Sequence, residues 1–306
     1  MKSNNSIKSN KEKYLLIFLF ALFCSKVFSV IIRHDKNINE YTEYANQSKF
    51  NCVGNFYSES GEGGGTFVLI SHKHILTAAH CFIDYDTEEE VIEMGGRTVT
   101  IYNPINVRVD SIEKYTFNLN GKLLKGIKLT LHPNYFIDSD EDDNFDIAII
   151  ELEESINDVV FPSLYDKFDE QGQIGTIVAF GASGLGNTIQ TALLNLKIAG
   201  KNVIDSIGGS LHSGNYCKLF TDFDDPDSIM PNKLGCPYPL DLEFGTGGGD
   251  SGGPLFFESD NEKLYLIGIL SGGGFTAENV EYLRMYGQIN EWIRISTFKK
   301  WIEDTI

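Results

Sequence analysis

An all-β fold is predicted for this 306-residue chain from three observations. Short runs rich in β-branched and aromatic residues recur between Gly, Asn and Asp punctuation, which is the spacing of strands in a barrel or sandwich. Helical periodicity is clear only near the end of the chain. With 42% hydrophobic and 12% aromatic residues, no repeat and no low-complexity linker, the composition supports one large β-rich unit.

Taken in order, residues 1–29 read as a secretory signal. Lys2, Lys8, Lys11 and Lys13 precede the apolar run Tyr14 to Cys24, and Val27-Phe28-Ser29 brings small residues to the cleavage point. An uncleaved anchor is the alternative, but the run is short of the ~20 residues a spanning helix needs. Strands are expected at Phe67 to Ile70, Ile75 to Ala78, Val107 to Val109, Lys125 to Leu131, Ile147 to Leu152, Thr176 to Phe180 and Leu264 to Leu270. Glu88-Glu90 and Asp138 to Asp143 have loop composition and read as solvated acidic loops; the alternative is a structural calcium site, because oxygen-rich loops suit that hard cation. Phe161 to Gln173, polar with one proline, is the expected crossing between two halves. Thr297 to Ile306 carries Phe298, Trp301 and Ile302 on one helical side.

The net charge of −18 becomes more negative when the signal, with five Lys and one Glu, is removed. Such a charge opposes nucleic acid and anionic membranes as partners. Export leaves Cys52, Cys81, Cys217 and Cys236, an even number in an oxidising compartment, with three connectivities open. Pairing Cys217 with Cys236 and Cys52 with Cys81 is the expected arrangement. No Cys-x-x-Cys or clustered Cys/His spacing suggests a metal. Asn46-Gln47-Ser48 is a glycosylation sequon.

The stretch Gly245-Thr246-Gly247-Gly248-Gly249-Asp250-Ser251-Gly252-Gly253-Pro254 sets a serine among glycines, where a backbone can approach a substrate carbonyl. A serine hydroxyl holds its proton at neutral pH and needs a base. His80, in Thr77-Ala78-Ala79-His80-Cys81, has the pKa range for that task. Asp146, at the head of Asp146-Ile147-Ala148-Ile149-Ile150, is the carboxylate that would fix the imidazole tautomer. The backbone N–H groups of Gly249 and Ser251 are the natural donors to an oxyanion.

These contexts, in the order His, Asp, Ser, resemble the chymotrypsin/trypsin family of serine proteases. Leu131-His132-Pro133-Asn134-Tyr135, Phe180-Gly181-Ala182-Ser183-Gly184, Leu270-Ser271-Gly272-Gly273 and Trp292-Ile293-Arg294-Ile295 with Trp301-Ile302 extend the resemblance over most of the chain past the signal. The resemblance implies two six-stranded antiparallel β-barrels and a short C-terminal helix, with barrels at about 30–160 and 174–306. It implies that Ser271 bonds Asp146, that Gly273 pairs with the substrate main chain, and that Asp250 accepts a freshly exposed N-terminal ammonium. No Arg/Lys-Ile-Val-Gly-Gly activation sequence is present, so signal removal itself is expected to supply that ammonium at Val30 or Ile31.

The chain also departs from the family pattern. Gly245, six residues before Ser251, stands at the floor of the specificity pocket. An uncharged floor beside Thr246 argues against Arg or Lys and for apolar or small substrate side chains. Gly287 and Asn290 compete for the far wall. Gly65 and Gly247 stand where relatives have cysteines, so Cys52 is the candidate replacement partner for Cys81. The reading is a secreted, monomeric serine endopeptidase acting on protein or peptide substrates without a metal or organic cofactor, and without stable membrane association after signal cleavage. Two rivals stay open: an inactive binding or decoy protein on the same fold, and an acyl hydrolase acting on esters.

Overall fold

The computed structural model describes residues 30–60, 64–94, 97–135, 144–181, 183–188, 191–192, 196–230, 232–274 and 286–306. Its contacts divide the chain into a larger unit, residues 28–81 and 111–306, and a smaller one whose described part is 82–110. Asp138 to Asp143, the second acidic segment, lies outside the described residues. No helix among the described residues is long and apolar enough to cross a membrane.

The larger unit opens with β1 (Val30–Ile32) and α1 (Ile38–Ala45), an element that periodicity missed. Its signal is local: Asn37 caps the backbone of the first turn, and the Glu40 side chain accepts from Asn37 N–H. One face holds Tyr41, fully buried, whose hydroxyl donates to Glu243 O at 2.9 Å.

A closed six-stranded barrel follows, built from β2 (Val53–Ser58), β3 (Gly64–Leu69), β4 (His74–Thr77), β7 (Tyr115–Leu119), β8 (Lys122–Leu131) and β9 (Ala148–Leu152) in the order β2-β3-β4-β9-β8-β7. Between β4 and β7 the chain makes the smaller unit, the hairpin of β5 (Ile83–Met94) and β6 (Arg97–Val109). Alternation of apolar and polar residues turns Phe56, Phe67 and Phe117 inward, with Phe117 centred 5.4 Å from Phe56 and 5.8 Å from Phe67. Gly54 is what admits them: a Cβ there would lie 2.4 Å from the Phe67 ring.

In the hairpin, Glu88-Glu90 form part of strand β5 rather than a loop, paired with Asn103, Tyr102 and Ile101. Cross-strand contacts override their poor strand propensity. Asn103 donates to Glu90, and Arg108 reaches both Asp84 and Asp86.

The second half comprises β10 (Ser163–Leu164), β11 (Ile174–Ala179), β12 (Ser183–Leu185), β13 (Thr191–Ala192), β14 (Ile198–Val203), β15 (Ser206–His212), β16 (Asn215–Asp222), β17 (Phe244–Gly245), β18 (Pro254–Glu258), β19 (Leu264–Gly274) and β20 (Ile289–Arg294), then α2 (Ile295–Thr305). Eight strands form one sheet, β14-β11-β18-β19-β20-β16-β15 with β10 beside β19. Ile177, Ile198, Leu219, Leu255, Ile267 and Trp292 fill its core. β14 meets β16 through a side chain rather than a ladder, because Asn202 Nδ2 donates to Asp222 O and Phe244 O. β1 lies in a separate four-stranded sheet, β13-β12-β1-β17.

The crossing segment is anchored by Glu170. Its buried carboxylate accepts from Arg294 Nε at 3.0 Å and Ser296 Oγ at 2.6 Å and pairs with Arg294 Nη2, fastening the link to β20 and α2. α2 begins two residues before the predicted helix and buries Phe298 and Ile302. His132 stacks on Phe145 and meets Phe298; burial pushes its imidazole down to about 4. His212 ends β15 and stacks on Phe298.

Candidate active site

His80 follows β4 in a short 3-10 turn opening at Ala79. Asp146 stands just before β9, and Ser251 in the turn before β18. The three segments are packed together at backbone distance. Gly252 shows how closely: with φ of +78°, a Cβ there would fall 1.9 Å from Thr77 Oγ1, 2.4 Å from Thr66 O and 2.9 Å from Ala78 N. Only glycine fits, in both space and conformation. Thr66, which the sequence reading did not single out, completes the clamp: its N–H donates to Ser251 O at 2.8 Å and its hydroxyl to Gly249 O at 3.1 Å. Asn144 ties the aspartate segment to β15 by accepting from Ser210 N–H at 2.8 Å.

The predicted triad comes together. His80 Nδ1 lies 2.6 Å from Asp146 Oδ2, and His80 Nε2 lies 2.9 Å from Ser251 Oγ. A carboxylate can only accept, so Nδ1 carries the proton and Nε2 is free to receive that of Ser251. Asp146 Oδ1 accepts from the His80 backbone N–H at 2.7 Å, and Ser271 Oγ donates to Oδ2 at 2.8 Å. The Asp146 side chain is 1% exposed and that of His80 36%, so the pair is dry on one side and open on the other.

Burial is the largest single influence and works against the imidazolium, but the Asp146 charge, Cys81 and the hydrogen bond to Asp146 together outweigh it, and His80 is held well above its usual range. Burial likewise works against the Asp146 carboxylate, yet the facing imidazole and the donors of His80 and Ser271 hold it below its ordinary value.

Gly249 has φ of +90°, the left-handed region that favours glycine. Asp250 is fully buried beneath it; its two oxygens accept from Gly181 N–H and Gly247 N–H, each at 2.8 Å. Burial pushes this carboxyl up to about 8. Val30 is in register with Ser183, two residues beyond that Gly181 donor.

The pocket residues fall into new places. Gly245 pairs with Ile31, and a Cβ on it would meet Phe223 at 2.9 Å and Ile31 at 3.3 Å. Of the two candidates for the far wall, Asn290 stands opposite Gly273 in the β19–β20 register. Its Oδ1 accepts from Thr246 Oγ1 at 2.6 Å, and Gln288 Nε2 donates to Thr246 O at 2.7 Å. Gln288 carried no motif that sequence reading could use.

The expected disulfides do not form. Cys52, Cys81, Cys217 and Cys236 are all free thiols. The buried Cys52 Sγ turns to Lys49 O at 3.7 Å, while Cys81 Sγ sits 3.7 Å from His80 Nε2. Cys217 is buried in β16, whereas Cys236 faces solvent. Gly65 is free of a side chain for a steric reason, since a Cβ there would approach Ser251 O to 2.7 Å. Among the described residues no group of three or more His, Cys, Asp or Glu is arranged to hold a metal ion.

Transmembrane protease serine 11G of Rattus norvegicus is 26% identical over 218 residues, covering 67% of this chain and 42% of that protein. Phenoloxidase-activating factor 1 of Holotrichia diomphalia is 24% identical over 288 residues, covering 87% of this chain and 64% of that protein. The chain thus spans less than two thirds of the length of either relative. A family model described as a trypsin-like peptidase domain matches residues 64–269, well over half of the sequence, and the chain belongs to the trypsin-like family of serine proteases.

Proposed function

We propose that this chain is a secreted serine endopeptidase that hydrolyses peptide bonds through an acyl-enzyme on Ser251. One observation carries the reading: the His80 ring touches the Ser251 hydroxyl with one nitrogen and the buried Asp146 carboxylate with the other, at 2.9 and 2.6 Å. His80 takes the hydroxyl proton as Ser251 Oγ attacks the carbonyl carbon, then delivers it to the leaving amine. Asp146, itself held by Ser271, orients the ring and stabilises the imidazolium. The N–H groups of Gly249 and Ser251 receive the oxyanion, and Gly273 pairs with the substrate main chain. No step calls for a metal or organic cofactor, and a monomer suffices, since His80, Asp146 and Ser251 lie in one chain.

Activation follows from Asp250. A buried carboxyl held by two neutral amides gains most from a cation. Signal cleavage before Val30 or Ile31 would deliver an ammonium from β1, whose pairing with β12 runs beside the Gly181 donor. The test is hydrolysis of an unfolded protein substrate by the secreted protein, together with sequencing of its N-terminus. Activity that is lost in Ser251→Ala, and a terminus at Val30 or Ile31, support the account. A folded protein without activity favours a binding or decoy role, ester hydrolysis without peptide hydrolysis favours the acyl-hydrolase rival, and a terminus well beyond Ile32 refutes the activation step.

A further inference from the structure

We propose that Gln288, with Asn290 and Thr246, restricts the residue on the acyl side of the scissile bond to a short, neutral one bearing a hydrogen-bond donor, threonine and serine being the best fit. This rests on the protease reading above and names its substrate class.

The segment leading to Ser251 and the strand β20 are bridged by side chains. Thr246, 2% exposed, donates through both N–H and hydroxyl to Oδ1 of the fully buried Asn290, at 3.2 and 2.6 Å. Gln288, just before β20, reaches Asn290 directly. Its Nε2 donates to Thr246 O at 2.7 Å and to Asn290 Oδ1 at 3.0 Å. A Cβ built on Gly273 would lie 2.7 Å from that Nε2, so the amide occupies the space directly against the strand assigned to the substrate backbone.

The chemistry of the filling is one-sided. Turning the Gln288 amide over would set its oxygen against Thr246 O, so the hydrogen bonds fix Nε2 where it is. Gln288 Oε1 is left buried with no partner, one of two such side-chain atoms among the described residues. An orphaned buried acceptor is costly, and a donor arriving with the substrate relieves it. None of Gly245, Thr246, Gln288 and Asn290 carries a charge, so neither a basic nor an acidic side chain finds a counter-ion among them. Of the apolar or small side chains expected from Gly245 and Thr246, the proposal keeps the small ones and adds a hydrogen-bond donor.

The experiment uses the processed protein and peptides differing only at that residue: Thr, Val, Leu, Phe, Arg and Asp. Threonine and valine have nearly the same shape, so their ratio isolates the donor. We expect kcat/KM for Thr to exceed that for Val by about tenfold, with Phe, Arg and Asp lower still. Gln288→Met, which keeps length but removes the acceptor, should bring the Thr/Val ratio close to one. Gln288→Ala should raise Leu and Phe relative to Val by roughly tenfold or more. Valine equal to or better than threonine, or a wild-type preference for Phe or Arg that Gln288→Ala leaves unchanged, overturns the proposal. Labelling by a fluorophosphonate separates the levels: protein that labels at Ser251 but ranks the peptides otherwise refutes only this inference, whereas folded protein that neither labels nor cleaves refutes the protease reading beneath it.

Discussion

Ser271 Oγ and His80 Nδ1 meet the same oxygen of Asp146, Oδ2, at 2.8 and 2.6 Å. The hydroxyl therefore shares in holding the carboxylate that orients the base. A hydrogen bond to a charged group is worth about 1.5–3 kcal/mol. Ser271→Ala should lower kcat by roughly tenfold or more with little change in KM, and should raise the apparent pKa of His80, because the carboxylate it faces is less well shared. A pH profile of kcat/KM on both proteins checks this, and a change confined to KM would refute it.

The pH profile of the unmodified protein has its own direction. His80 must be neutral to accept the serine proton, and its pKa is held above the ordinary value because the Asp146 charge, Cys81 and the hydrogen bond to Asp146 together outweigh the burial that opposes it. Activity should rise with pH through a value above about 6.5. In Asp146→Asn that limb should move down while kcat falls on the order of 10⁴.

Stability should show the opposite slope. Burial pushes Asp250 and Glu243 up to about 8 and Asp224 up to about 7. The folded chain holds these protons where the unfolded chain has already released them near pH 4, so stability is lost as pH rises from about 4 to about 8. Between pH 5.5 and 8.5 carboxyls with depressed pKa, such as Asp146, are ionised in both states and add no slope. The thermal midpoint of protein that keeps its N-terminal extension should therefore be lower at pH 8.5 than at 5.5. A terminus freed at Val30, by pairing with Asp250, should flatten that difference; an identical slope in both forms would contradict the pairing.

Two substitutions test contacts that join distant segments of the chain. Gly252→Ala forces a Cβ onto Thr77 Oγ1 and Thr66 O at φ of +78°, and should destabilise by about 2–4 kcal/mol in chemical denaturation. Arg294→Met leaves Glu170 buried without its cation and should cost about 3–5 kcal/mol. Values under about 1 kcal/mol for either would show that these contacts relax freely.

These clamps also mark what a sequence reveals. The meeting of His80, Asp146, Ser251 and Ser271 was legible because each stands in a recognisable local setting, and the order of the settings carries the fold with it. Gln288 and Thr66 were not, since their roles arise from a cross-strand register and a contact between segments far apart in sequence. Glu88-Glu90 misled because local composition cannot reveal the partner strand at Asn103. α1 hid because eight residues show little periodicity, although Asn37 and Glu40 spelled its cap. The even cysteine count misled for a further reason: parity says nothing of where Sγ atoms point, and Cys81 points at His80.

The contact between His80 Nε2 and Ser251 Oγ is the centre of the account. Its most direct test is treatment of the processed protein with a fluorophosphonate, followed by mass spectrometry of the adduct. One stoichiometric adduct is expected, on Ser251, absent in Ser251→Ala and slowed by several orders of magnitude in His80→Ala. Folded protein that takes no label, or takes it at the same rate without His80, would contradict it.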